Sequence, residues 1–255
     1  MICDSHTHCG HYYDTYTSPQ EVVNFMEQVG VDYFAVSSTT ICAGLYDKVL
    51  SEFRELKSLA HNKVLPVLWI LPQMFEDGTL DTYLDSGIPW VCLKIHPQLH
   101  PQTWKSSNPS FQKVALLANK MQLPLLIHTG EHDGCYPLEF EKGVRENPKV
   151  TFILAHSRPV EQTINMIKRY PNVWADTAFS PMEDILRMGN SNLSDRILWG
   201  TDYPIQRHFD RNIDLVEYYR TRLEVLRNSI SKTAFEAITN KNFQRLFSSY
   251  VCSEC

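Results

Sequence analysis

Two histidines stand one residue apart in the opening stretch "ICDSHTHCGHYY", at His6 and His8. On an extended strand, residues two apart share a face, so both imidazoles can reach one ion. Five more residues able to coordinate a metal or move a proton close short apolar runs farther along. They are Lys94 and His96 in "WVCLKIH", His128 in "LPLLIHT", His156 in "VTFILAHS" and Asp202 in "RILWGTD". Brought together, His6, His8, His128 and Asp202 make a nitrogen-and-oxygen donor set suited to zinc, with manganese, iron and nickel as alternatives. Such an ion polarises a carbonyl and lowers the pKa of a bound water to about 7. Asp202 could then both ligate and accept the water's proton. Each residue alone has a plainer reading: a strand-end histidine is usually a hydrogen-bonded polar residue, and aspartate commonly caps a turn. The ordered set, not the doublet, carries the metal reading.

For that set to converge, the chain must bring the ends of distant strands to one place. Eight β-rich runs recur, at residues 1–6, 31–38, 64–70, 90–96, 123–129, 150–157, 172–178 and 196–202. Their near-continuous apolar character suits strands buried on both faces of a parallel sheet. Helical patterns fall between most of them. In "SPQEVVNFMEQVG", Ser18 is placed as N-cap, Pro19 in the first turn, Glu21 three after the serine and Gly30 as stop. Past residue 210 only helices are expected, and the last, "NKNFQRLFSS", should cover the outside or the bottom. The 255 residues match the ~250 of a (β/α)8 TIM barrel, and no linker interrupts them, so residues 1–255 read as one domain. In that architecture the C-terminal strand ends meet at a mouth, where active sites sit.

Hydrophobic residues make up 43% and charged residues 21%, enough to bury a large core. A net charge of −5 gives no electrostatic reason to expect nucleic acid or an anionic membrane. No apolar run approaches the ~20 residues of a membrane span. "MICDSHTH" lacks the pattern of a signal peptide, and Cys3, Cys42 and Cys92 lie in apolar runs. Both features point to free thiols in the cytoplasm rather than a disulfide framework. Cys252 and Cys255 in "VCSEC" form a conceivable second metal pair. Arg158 and Arg207 could hold a substrate carboxylate, and Trp69, Tyr203 and Phe179 could supply an apolar wall. His100, Glu131 and His132 fall where loops could approach the mouth. The implied substrate is a small anionic or carbonyl-bearing molecule.

The stretches "DSHTH", "KIHP", "LPLLIHTG", "FILAHS", "VWADTA" and "ILWGTDYP" together resemble the metal-dependent amidohydrolase superfamily. The closer resemblance is to its branch of small TIM-barrel hydrolases and decarboxylases, amidohydrolase family two, whose closing motif is similar to "NKNFQRLF". It spans almost the whole chain and implies a distorted barrel with a divalent metal at the mouth. His6, His8, His128 and Asp202 match the family's ligands. His156 matches either a second-metal ligand or an acid/base and oxyanion contact. Lys94 stands where binuclear members carry a carbamylated lysine between two ions, and where mononuclear ones contact substrate. One ion is the favoured expectation. Asp202, His156 and Lys94 are thus the expected catalytic residues, with His96 and Arg158 as substrate contacts. The implied reaction is hydrolysis of an amide, lactone or ester by metal-activated water. The alternative is non-oxidative decarboxylation of an aromatic or unsaturated acid. A TatD-like nuclease would carry glutamate in place of Lys94. A non-catalytic barrel would keep its metal content when His6 is replaced. The family also allows a homodimer.

Overall fold

The structure, a computed structural model, describes residues 1–99, 104, 109–130 and 132–251. His100, Glu131, Cys252 and Cys255 lie outside the described residues. The chain opens with β1 (Cys3–Tyr12), which turns back through β2 (Thr15–Thr17) in an antiparallel hairpin. This hairpin is why β1 runs four residues beyond His8 and places His11 on a strand rather than in a loop. Helix α1 (Pro19–Val29) follows, with the expected ends. Ser18 Oγ accepts from the Glu21 amide at 3.2 Å, Glu21 answers the Ser18 amide at 2.8 Å, and Gly30 closes the helix at φ 74°.

From there strands and helices alternate. They are β3 (Tyr33–Ser38), α2 (Tyr46–Ala60), β4 (Val64–Trp69), α3 (Thr79–Leu84), β5 (Cys92–Ile95), α4 (Pro109–Met121) and β6 (Leu125–His128). Then come α5 (Glu141–Glu146), β7 (Phe152–Ala155), α6 (Val160–Arg169), β8 (Val173–Asp176), α7 (Met182–Gly189) and β9 (Ile197–Leu198). All eight expected strands are present, seven inside their runs and β1 extended past residue 6 by the hairpin. Short α8 (Gln206–Phe209) and then α9 (Leu215–Ser229), α10 (Lys232–Glu236) and α11 (Asn242–Leu246) complete the described chain. None of the described helices is long and apolar enough to cross a membrane.

The strands pair in the order β2-β1-β3-β4-β5-β6-β7-β8-β9, parallel except for the hairpin. The sheet curls until its ends meet. Ser5 N–H donates to Trp199 O at 2.8 Å, His8 N–H to Tyr203 O at 2.7 Å, and Asp202 N–H to His6 O at 2.8 Å. The segment beyond β9 thereby joins β1 and closes a distorted (β/α)8 barrel.

Burial divides into two cores. The larger lies between strands and helices and includes the α1 face of Val22, Phe25, Met26 and Val29. The smaller fills the barrel's interior with Leu65, Val67, Cys92, Leu126, Ile153, Trp174 and Leu198. Phe243 of α11 and Phe247 just after it join this inner cluster, so the "NKNFQRLF" segment plugs the bottom rather than covering the outside. Each is at most 2% exposed, and burying such a side chain stabilises by about 1.5–3 kcal/mol. Cys3 and Cys92 are buried free thiols as expected, whereas Cys42 is only half-buried.

Candidate metal centre

Because side chains alternate along a strand, the inward position two residues after an inner-core residue faces the same interior, nearer the mouth. Cys92 is followed in this way by Lys94, Leu126 by His128, and Trp174 by Asp176. The tightest coordinating group among the described residues is His6, His156 and Asp202, whose ligand atoms all lie within 4.8 Å of one another. His8 adjoins it, with Nε2 3.1 Å from Asp202 Oδ1; His6 Nε2 lies 3.4 Å from the same oxygen. His128 Nδ1 is 2.9 Å from His156 Nε2. Five residues expected from the sequence thus meet at one mouth.

Carbonyl and carboxylate oxygens only accept, and this fixes the tautomers. His6 Nδ1–H donates to Asp176 Oδ2 at 2.8 Å; Lys94 Nζ occupies His8 Nε2 at 3.1 Å, which leaves His8 Nδ1–H to donate to Ser37 O at 3.2 Å. His156 Nδ1–H donates to Ala178 O at 2.9 Å, so its Nε2 accepts the proton offered by His128 Nδ1. The Nε2 lone pairs of His6, His8 and His128 are left for a partner. Burial holds all four rings neutral; the charge of Lys94 adds to this for His6 and His8, and neighbouring imidazoles add to it for His128 and His156.

A cation already stands at the focus. Lys94 Nζ donates to His6 Nε2 at 2.8 Å and His8 Nε2 at 3.1 Å, and lies 4.4 Å from the Trp69 ring centroid. Burial lowers the Lys94 pKa to about 8, although Asp202 and Asp176 oppose the shift. For Asp202, burial pushes upward, but the close approach of His8 and the neighbouring His6 and Lys94 outweigh it. The carboxyl is held below its usual range. Neutral imidazoles with oriented Nε2 atoms and an ionised carboxylate beside them are what a divalent cation requires, and Lys94 occupies the point where one would sit. The residues fit such an ion.

The centre opens into a narrow recess of about 50 Å³, lined also by Tyr12, Thr39, Trp69, His96, Leu99 and Ile205. His96 lies against His128 with ring centroids 3.7 Å apart, and parallel to Trp69 at 5.8 Å. Its Nδ1 accepts from the amides of Gln98 and Leu99. Arg158 is not on this lining; its guanidinium lies over the Phe179 ring at 5.3 Å. Tyr203, expected in the wall, instead stacks on Phe25 at 3.9 Å in the core. Arg207 borders a separate groove beside Glu21. A larger hollow of about 1100 Å³ sits by Arg54, Lys57 and His61 near the starts of β4 and β5, remote from the histidines and their chemistry.

Two acidic residues escape the sequence reading. Asp4 accepts from the amides of His6 at 3.0 Å and Thr201 at 3.1 Å, tying the two sides of the barrel's closure; burial raises its pKa to about 7. Asp176 backs His6 and is raised to about 6, chiefly by burial. "VWADTA" ends an apolar run just as "LPLLIHT" does, so the signal for Asp176 was in the sequence.

The sequence pattern of the amidohydrolase family matches residues 3–248. No curated protein matches the chain. An uncharacterised TIM-barrel protein from Bordetella bronchiseptica superposes with a TM-score of 0.72 at 17% identity, over 98% of this chain and 99% of that one. A probable 2-pyrone-4,6-dicarboxylic acid hydrolase from Acinetobacter baumannii, with citric acid bound, gives 0.72 at 10% identity, over 97% and 99%. The IDCase of Metarhizium anisopliae in apo form gives 0.69 at 12% identity, over 97% of each chain. At such identities the likeness is one of fold.

Proposed function

The chain belongs to the amidohydrolase family, and from that premise we propose that it is a metal-dependent hydrolase of an amide, lactone or ester bond in a small molecule. The observation that carries this reading is the aim of the His6 and His8 Nε2 atoms, with Asp202, at the point where Lys94 places its charge. His6, His8 and Asp202 hold the ion, one per chain and zinc by donor type, with Lys94 giving way. We assign the remaining position to His128, because its Nδ1–H is spent on His156 and its Nε2 lone pair is left. Spacing alone would seat His156 there instead.

A bound divalent ion supplies a polarised carbonyl and an activated water. Asp202, held ionised, takes the proton released on attack and returns it to the leaving group. His156, its Nδ1–H committed to Ala178 O, fixes the tautomer of His128 and so aims the His128 lone pair at the ion. Lys94, beside His6 and His8, neutralises the negative charge that develops on the substrate oxygen. Trp69, Tyr12 and Leu99 line the narrow recess above the ion, where the reacting bond of a small substrate would enter. A cytoplasmic setting and a homodimer remain part of this proposal.

The test is elemental analysis followed by a panel of lactones, amides, esters and aromatic acids in 18O-labelled water, with and without chelator. One ion per chain, and label in the product, are expected. Release of CO2 with no label incorporated would turn the reading to decarboxylation. Two ions together with a lysine heavier by the mass of CO2 would make the centre binuclear. A metal-free chain indifferent to chelator would overturn the proposal. His128→Ala should empty the centre, and His156→Ala should leave it filled but slow; the opposite pattern exchanges their roles.

A further inference from the structure

We infer that Asp176, which no motif reading singles out, is the positioning residue of this centre, orienting a ligand from β1 and the loop after β7 at once; the inference rests on the metal reading above. Its carboxylate is fully buried and divides its two oxygens between two duties. Oδ2 takes the His6 Nδ1–H at 2.8 Å, which leaves Nε2 as the lone-pair nitrogen facing Lys94 and Asp202. Oδ1 takes the backbone N–H of His156 at 2.8 Å and that of Ala178 at 3.1 Å. His156 and Ser157 have φ of 66° and 51°, in the left-handed region that L residues rarely adopt. The bond from His156 N–H to Oδ1 holds that conformation. The segment after β8 presents Ala178 O to the His156 ring at 2.9 Å, and Ser157 Oγ donates to the Asp176 carbonyl. Two of the three members of the tightest coordinating group therefore hang on one side chain.

An ionised carboxylate accepts on both oxygens, and here both faces meet donors. An asparagine of the same shape cannot do this. Turned one way, its NH2 faces His6 Nδ1 and drives the ring proton to Nε2. Turned the other way, it faces the amides of His156 and Ala178 and frees the left-handed turn. Loss of such a carboxylate behind a ligating histidine lowers metal affinity by about 10–100-fold.

The experiment compares the full-length native chain with Asp176→Asn. Zn2+ affinity is measured by competition with a chromogenic chelator. The tautomer of His6 and the exchange rate of the His156 amide are read by 15N NMR on metal-free protein, and a thermal melt confirms folding. We expect affinity about 10–100-fold weaker in the variant, with either the His6 proton moved off Nδ1 or the His156 amide exchanging faster. A variant that melts lower yet binds Zn2+ like the native chain, with tautomer and amide unchanged, would show a merely structural aspartate and overturn the inference. The NMR readings need no metal. If the native chain binds no Zn2+, the functional proposal fails, while an unaltered tautomer and amide would still sink this one separately. Should the variant not fold, a His6 proton found on Nε2 in the native chain overturns the inference on its own.

Discussion

The two ends of the barrel's interior are built from the same strands and do opposite things. At the foot, Cys92, Leu126 and Trp174 pack with Phe243 and Phe247 in a dry cluster whose burial favours folding. One strand repeat higher, the same three strands present Lys94, His128 and Asp176, none of which gains by leaving water. The mouth tolerates that cost because each group is matched: Lys94 to two imidazoles, His6 and His156 to Asp176, and Asp202 to the charge of Lys94. A side chain's depth in the barrel, more than its strand, decides whether it serves stability or chemistry.

If that division holds, changes at the two ends should fall on different measurements. The largest effect is expected at the mouth: Asp202→Asn should cut turnover roughly a thousandfold, as loss of a proton-transfer group does, while leaving the melting temperature unchanged or higher. A chelator should produce a similar loss in the native chain, restored by added Zn2+. At the foot, Phe243→Ala should cost about 3–5 kcal/mol in denaturant unfolding and leave the metal content of the folded fraction intact. Loss of bound metal in that variant would break the comparison.

Smaller changes sharpen it. Lys94 has a folded pKa of about 8 against an ordinary 10.5, so between those values the unfolded chain binds the proton that the folded chain has shed. Stability then rises with pH across that window. Relative to Lys94→Met, the metal-free native chain should gain stability from pH 8 toward 10.5; parallel curves would mean the lysine is not desolvated. Gly10, at φ 96°, would bring a Cβ to 2.3 Å from Thr40 Oγ1, so Gly10→Ala should cost about 1–3 kcal/mol by urea titration. Away from the interior altogether, Ser18→Ala removes the cap of α1 and should cost about 1 kcal/mol without touching catalysis.

Alternation of apolar runs and helical spacings revealed the barrel, because parallel strands buried on both faces leave a continuous hydrophobic trace. The strand-end histidines, Lys94 and Asp202 were legible for the same reason: polar residues closing apolar runs stand out. Asp176 closes a run equally clearly, yet its duty is a hydrogen bond to a residue 170 positions away, which no local pattern encodes. Tyr203 failed as a wall residue because a cluster of neighbours in sequence does not say which way a ring turns; packing on Phe25 decided it. Nor could the sequence tell that His156 and not His128 lies nearest His6 and Asp202, a distinction of a few ångströms set by the turn after β7. The short β2 hairpin was invisible because three residues carry too little periodicity.

The closure between β1 and the segment after β9 has a consequence for how such a chain comes to life. His6, His8 and Asp202 lie on opposite sides of that joint, and Asp4 clasps Thr201 across 197 positions of sequence. A chain still emerging from the ribosome, with Thr201 and Asp202 not yet made, has its histidine doublet but no completed cage. Contacts so remote in sequence also form late in folding. The candidate site is therefore completed only when the two ends of the sheet join.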